Sequence, residues 1–177
     1  MTHLAAIGLG ANLPSRAGAP EVTLLAAMVD LTTVGRLEAQ SSLYRTEPVG
    51  VATQPAFVNA AVVLDTGLDP EGLLEFLLAT ERSYGRDRTR DGLKGPRTLD
   101  LDVLLIEERV IRTERLTVPH PEMAGRRFVL APLGEIAGGW RHPVLGKTIG
   151  ELLAGLPAEG VNGVAAVRRI EGGQPVL

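Results

Sequence analysis

Apolar residues recur along this chain in two rhythms. The run Leu4-Ala5-Ala6-Ile7-Gly8-Leu9 is short and apolar and leads into Gly10, Ala11 and Asn12, the pattern of a buried strand entering a turn. After a loop holding Pro14, Gly18 and Pro20 the interval lengthens. Leu24, Leu25, Met28 and Leu31 keep helical spacing, and Pro20 suits a first helical turn, where no backbone N–H is needed. A strand is predicted over 37–45, then a loop with Glu47, Pro48, Gly50 and Pro55, then a strand over 57–64. The second helix is marked at both ends. Asp69 is its N-cap, Pro70 sits in the first turn, Leu73, Leu74, Leu77 and Leu78 line one face, and Gly85 stops it. One more apolar strand then runs to Ile106.

Strand, helix, strand, strand, helix, strand is the order of a split βαβ, or ferredoxin-like, unit. The expected fold is therefore α+β, with an antiparallel sheet carrying two helices on one face and additional C-terminal helices beyond it. One of these includes Arg126, Arg127 and Phe128; another starts at Thr148, where Thr148 and Glu151 have capping-box spacing. Between them and the core lies Leu116-Thr117-Val118-Pro119-His120-Pro121, stiffened by its prolines. The chain is read as one domain, 1–177, with a tail over 157–177 that offers at best a short strand near 164–170. Such a fold by itself implies no function.

Chemistry enters with the last core strand, Thr98-Leu99-Asp100-Leu101-Asp102-Val103-Leu104-Leu105-Ile106. Side chains alternate across a strand, so Asp100 and Asp102 share one face, about 6.6 Å apart along the backbone. Leu104 and Ile106 are expected to continue that face as apolar surface. Two carboxylates there need positive charge nearby. A converging pair suits Mg²⁺, which takes oxygen ligands and completes its shell with water and substrate phosphates. The same spacing also fits a structural pair bridged to arginines.

The preceding segment supplies cations. Arg82, Arg86, Arg88, Arg90, Lys94 and Arg97 are interrupted by Gly85, Gly92, Gly95 and Pro96 and offset only by Asp87 and Asp91. Metal ions together with arginine forks are what polyphosphate transfer requires. Arginine is also this chain's ordinary cation, since 16 of its 18 basic residues are Arg. On the strand over 57–64, Phe57 and Asn59 share a face, and a ring beside an amide suits the face and edge of a planar heterocycle.

Composition narrows the partners. With 45% hydrophobic and 22% charged residues, the chain has enough apolar material for one core, and a net charge of −3 gives no overall pull toward nucleic acid or anionic membrane. The absence of cysteine excludes disulfides, thiolate metal sites and a Cys nucleophile. No signal peptide or membrane-spanning run is legible, so a cytoplasmic location is expected.

Five blocks in order carry a resemblance: Gly8-Leu9-Gly10-Ala11-Asn12-Leu13, Tyr44-Arg45-Thr46-Glu47-Pro48-Val49-Gly50, Gln54-Pro55-Ala56-Phe57-Val58-Asn59-Ala60-Ala61, Gly95-Pro96-Arg97-Thr98-Leu99-Asp100-Leu101-Asp102 and Val118-Pro119-His120. Together they resemble the motifs of the hydroxymethyl-dihydropterin pyrophosphokinases over about residues 4–153. The resemblance implies transfer of pyrophosphate from ATP to 6-hydroxymethyl-7,8-dihydropterin, with release of AMP, in folate biosynthesis.

Carried over by position, it implies that Asp100 and Asp102 hold two Mg²⁺ ions. Arg86 and Arg97 would act in catalysis. Glu81, Arg88, Arg97, Arg115, Thr117, His120 and Arg126 would bind the nucleotide, and Gly10, Thr46, Val49, Phe57, Asn59 and Phe128 the pterin. Lys94 stands where the family commonly has a tryptophan, and Phe57 where tyrosine is frequent. The expected partners are ATP and the pterin alcohol, without nucleic acid or membrane, on a monomer or weak homodimer. Two other classes fit the residues alone: a different metal-dependent phosphotransferase or phosphohydrolase, and a non-catalytic ferredoxin-like binding module.

Overall fold

A computed structural model describes residues 1–47, 54–91, 95–157 and 167–170. In chain order it contains β1 (His3–Ala11), α1 (Pro20–Leu31), β2 (Gly35–Gln40), β3 (Tyr44–Thr46), β4 (Phe57–Thr66), α2 (Pro70–Ser83) and a one-turn α3 (Arg88–Asp91). There follow β5 (Asp100–Ile106), β6 (Ile111–Arg112), β7 (Thr117–Val118), a 3₁₀ turn (Met123–Gly125), α4 (Arg127–Ala137), α5 (Ile149–Ala154) and β8 (Val167–Arg169). The main sheet runs β5-β1-β4-β3-β8, with β2 also on β4, and every pairing is antiparallel. That is the predicted α+β, ferredoxin-like core.

Strand alternation divides the core between the two sheet faces. Ala5, Ile7, Leu9 and Ala11 of β1, with Val58, Ala60, Val62 and Leu64 of β4, pack on Leu24, Met28 and Leu31 of α1 and Leu73 and Leu77 of α2. The opposite residues, Ala6, Ala61 and Val63, meet Leu130 and Leu133 of α4 and Ile149 and Leu152 of α5. The helix ends follow the local signals. Asp69 accepts a hydrogen bond from the Gly72 N–H at 2.7 Å, and Gly85 takes the left-handed conformation, φ 88°, just past α2. Thr148 and Glu151 form the reciprocal capping box.

Two expectations change. The strand predicted over 37–45 is two strands, because Ser41 places its hydroxyl in the ladder, accepting from the Ala61 N–H at 2.9 Å, and the chain spends an extra residue before Tyr44 rejoins β4 opposite Asn59. Ile106, expected on the acidic face, lies on the other one. Ile7 faces Val103 and Ala6 faces Leu105, so Leu104 has no opposite residue. This bulge puts Leu104 and Leu105 under α4 and α5 and turns Ile106 into the α1–α2 core. The tail, for which little was legible, contributes β8 to the edge of the main sheet.

Candidate active site

Among the described residues, α4 and α5 cover their sheet face along only part of its length. Toward the C-terminal end of β5 it carries Ala6, Ala61, Val63 and Leu104, roofed by the helices. Toward the other end the same face carries Asp100 and Asp102 of β5, Gly8 and Gly10 of β1, and Phe57 and Asn59 of β4. The register sets Gly10 between Asn59 on one side and Asp100 on the other, and Gly8 between Ala61 and Asp102. Asn59 and Asp100 are thus two strand spacings apart, about 10 Å. The glycines form the floor of a trough bordered by the Asn59 and Leu104 side chains. A Cβ on Gly10 would come within 3.1 Å of Asn59 Oδ1, and one on Gly8 within 3.3 Å of Leu104.

At the acidic end, Asp100 is surrounded by guanidinium groups: Arg97 Nη1 at 2.7 Å from Oδ2, and Arg86 and Arg88 Nη2 at 3.6 and 3.8 Å from Oδ1. Asp102 makes no ion pair among the described residues. Burial chiefly, and then the charge of Asp100, push its carboxyl above the ordinary aspartate range, while His120 and Arg88 oppose the shift. The pair is therefore divided, one acid neutralised by arginines and the other short of positive charge.

Glu81, at the end of α2, organises the surroundings. Its buried carboxylate accepts from Arg88 Nε and Nη2, at 2.9 and 2.8 Å, and from the Leu101 N–H at 2.8 Å, between the two aspartates on the edge strand β5. His120 covers the same edge further on, its backbone N–H donating to the Leu104 carbonyl at 2.9 Å, so the bulge that redirects β5 also seats the histidine.

At the other end, Asn59 donates to Thr46 Oγ1 at 2.9 Å, and both residues are buried. Phe57 stands opposite Thr46 on β3, and the Arg97 guanidinium lies 5.4 Å from the Phe57 ring centre, so one arginine touches both the ring and Asp100. Phe128 opens α4 with Arg126 over its ring at 5.7 Å, and Arg126 is also paired with Glu122. Arg115 and Thr117 are exposed, and Arg115 pairs with Glu75 instead of either aspartate. Val49 and Lys94 lie outside the described residues.

Sequence reasoning missed Asn12. It is buried, donates to the Pro55 carbonyl at 3.2 Å and accepts the Arg97 N–H at 2.7 Å, while the Arg97 carbonyl accepts the Asn12 and Leu13 N–H groups. One amide thereby joins the Phe57 segment to the Arg97 segment. The only local signal was an Asn closing a Gly-rich strand end.

Among the described residues no three His, Asp or Glu side chains form a metal cage. Two carboxylates on one strand face are nevertheless the protein share that Mg²⁺ requires when phosphate and water complete its shell, and the under-compensated Asp102 fits a cation. An α+β sheet with an acidic pair, arginines and a polar trough on one open face defines a class of protein equipped to handle a phosphorylated ligand beside a flat one.

Comparison with known proteins narrows the class. The model of the 7,8-dihydro-6-hydroxymethylpterin-pyrophosphokinase family matches residues 6–138. A 2-amino-4-hydroxy-6-hydroxymethyldihydropteridine pyrophosphokinase of Pseudomonas aeruginosa is 49% identical over 126 residues, 71% of this chain and 76% of that protein. One from Synechocystis is 42% identical over 153 residues, 85% of this chain and 75% of that protein. In fold, the chain is similar to the Plasmodium falciparum HPPK-DHPS triple mutant, TM-score 0.68 at 17% identity, covering 87% of this chain but 43% of that longer one. The chain belongs to the 7,8-dihydro-6-hydroxymethylpterin-pyrophosphokinase family.

Proposed function

We propose that the open sheet face is where the chain carries out its family's reaction, the transfer of pyrophosphate from ATP to the hydroxymethyl group of 6-hydroxymethyl-7,8-dihydropterin with release of AMP, in folate biosynthesis. The observation that carries this reading is the trough itself. An acidic, arginine-rich end and an amide-and-ring end face each other across two glycines.

Asp100 and Asp102 hold magnesium, two ions in our reading, which would supply positive charge to the phosphates and lower the pKa of the acceptor hydroxyl. The protein's own part is positioning and charge. Arg86 and Arg97 neutralise charge that spreads over the transferred group, with Arg88, His120, Arg126, Glu81, Arg115 and Thr117 on the nucleotide side. Arg97, Arg86 and Arg88 lie against Asp100, and Arg88 also against Glu81, so phosphate binding exchanges one set of anions for another. Asn59 offers an amide oxygen to the pterin edge while its NH₂ is held by Thr46, and Phe57 offers a ring face; Gly10, Val49 and Phe128 complete that side. Alignment of the two substrates supplies the remainder of the rate.

No described helix is long and apolar enough to cross a membrane. We place the enzyme in the cytoplasm as one catalytic domain without a nucleic-acid partner, monomeric or weakly dimeric. Product analysis by mass spectrometry with the pterin alcohol, ATP and Mg²⁺ tests the reaction: AMP and a diphosphorylated pterin are expected. ADP with a monophosphorylated product, or free phosphate alone, would replace this reading with an ordinary kinase or a phosphohydrolase.

A further inference from the structure

We infer that Arg169, on the C-terminal strand β8, is a positioning residue for the pterin; this rests on the assignment of Thr46 and Asn59 to the pterin pocket. β8 lies beyond the 6–138 family match, in the tail, yet it pairs with β3, the strand that holds Thr46. The register forms one row across five strands, Arg169 opposite Tyr44, Tyr44 opposite Asn59, Asn59 opposite Gly10 and Gly10 opposite Asp100.

β3 is the weak member of this row. It is three residues long, follows the break at 41–43, and holds Thr46, whose hydroxyl fixes the Asn59 amide. With β4 alone beside it, β3 would be a short edge strand with one row of backbone groups unpaired. β8 fills that edge: Val167 lies buried opposite Thr46, and the Ile170 N–H donates to the Leu43 carbonyl at 2.8 Å.

Arg169 locks the arrangement. Its Nε donates to Ser42 Oγ at 2.6 Å, and its Nη2 lies 3.3 Å from Glu135 Oε1. Glu135 of α4 also accepts from the Ser42 hydroxyl at 2.9 Å, the Ser42 N–H at 3.0 Å and the Tyr44 hydroxyl at 3.0 Å. The Arg169 side chain is 54% exposed, so the ion pair alone contributes little. Its effect is geometric: it ties β8, the entry to β3 and α4 to one carboxylate. A small shift of β3 would turn Asn59 away from the pterin edge, and misplacement of about 1 Å is enough to lose productive geometry.

Steady-state kinetics of Arg169→Ala should show the pterin KM raised roughly five- to tenfold, with the ATP KM and kcat within about twofold, since only one pocket loses its support. Arg169→Lys, which can still reach Glu135, should recover most of the pterin KM. Arg168→Ala, at an exposed neighbour, should match the parent. An unchanged pterin KM in Arg169→Ala, or an equal rise in both KM values, overturns the inference. Asn59→Ala separates the two levels: if it raises the pterin KM and Arg169→Ala does not, only the positioning role falls. If Asn59→Ala leaves the pterin KM unaltered, the pocket assignment falls and takes the inference with it. Should Arg169→Ala not fold, the pterin KM must still rise in the order Arg, Lys, Gln at position 169, and equal values overturn the role.

Discussion

Gly10 is the residue on which the proposed pterin pocket turns. Its strand neighbours are Asn59 on one side and Asp100 on the other, and a methyl group there would press on Asn59 Oδ1 at 3.1 Å. That methyl group would stand where the pterin edge lies in our reading, while Oδ1 must give by only a few tenths of an ångström, so Gly10→Ala should weaken pterin binding by roughly tenfold, about 1.4 kcal/mol, while the protein melts near its parent temperature. Titration calorimetry with the pterin checks this, and parent-like affinity would mean the trough is not where the ring lies. The chain's two tyrosines make a second residue-scale prediction. Burial, aided by the Glu135 carboxylate for Tyr44 and the Asp30 carboxylate for Tyr84, holds each phenol at about 12 against an ordinary 10. In both, the folded state keeps a proton that the unfolded state gives up above pH 10, so this contribution to stability falls as pH rises from 10 toward 12. Tyrosinate absorbance should stay absent at about pH 10.5 in the native protein and appear at that pH on adding denaturant, because ordinary phenols titrate near 10.

At the scale of elements, α2 links a helix cap to the site. Its first turn is held by Asp69 and its last presents Glu81 to β5 and Arg88. Loss of the cap frays the far end only. Asp69→Ala should therefore lower stability by about 1 kcal/mol in urea unfolding and leave kcat unchanged, whereas a matching loss of kcat would show that the whole helix shifts. The caps, prolines and terminating glycine of α2 and α5 were legible because those signals act within a few residues. The division of the 37–45 segment into β2 and β3 was not, because it depends on Ser41 meeting Ala61 across the sheet. The β5 bulge escaped for the same reason: an alternating apolar run looks regular until β1 imposes its register, and Leu104 and Leu105 then fall on one side.

For the whole molecule, the ion pairs around Asp100 have a thermodynamic consequence. Asp100 is already neutralised by Arg97, Arg86 and Arg88, so a metal ion arriving alone must displace those guanidinium groups without giving them another anion. A nucleotide gives them one. Mg²⁺ alone should bind at least about tenfold more weakly than Mg²⁺ in the presence of a non-hydrolysable ATP analogue, and the analogue should bind correspondingly better with Mg²⁺, since such coupling is reciprocal. Calorimetric titrations in both orders measure it, and equal Mg²⁺ affinity with and without the analogue would remove the exchange.

What the amino-acid order determined by itself was local: which segments are helices and strands, where several of them stop, and that Asp100 and Asp102 share a strand face beside a run of arginines. Each of these follows from backbone preferences and side-chain alternation within a few residues. Only the tertiary structure decided which carboxylate the arginines neutralise, that Asn12 joins the two halves of the site, and that β8 completes the sheet beside β3. The Asn12 and β8 outcomes depend on pairings between residues 43 to 127 positions apart, which local pattern cannot encode, whereas Arg97 is near Asp100 in sequence and only the folded geometry sets it on that carboxylate and not on Asp102.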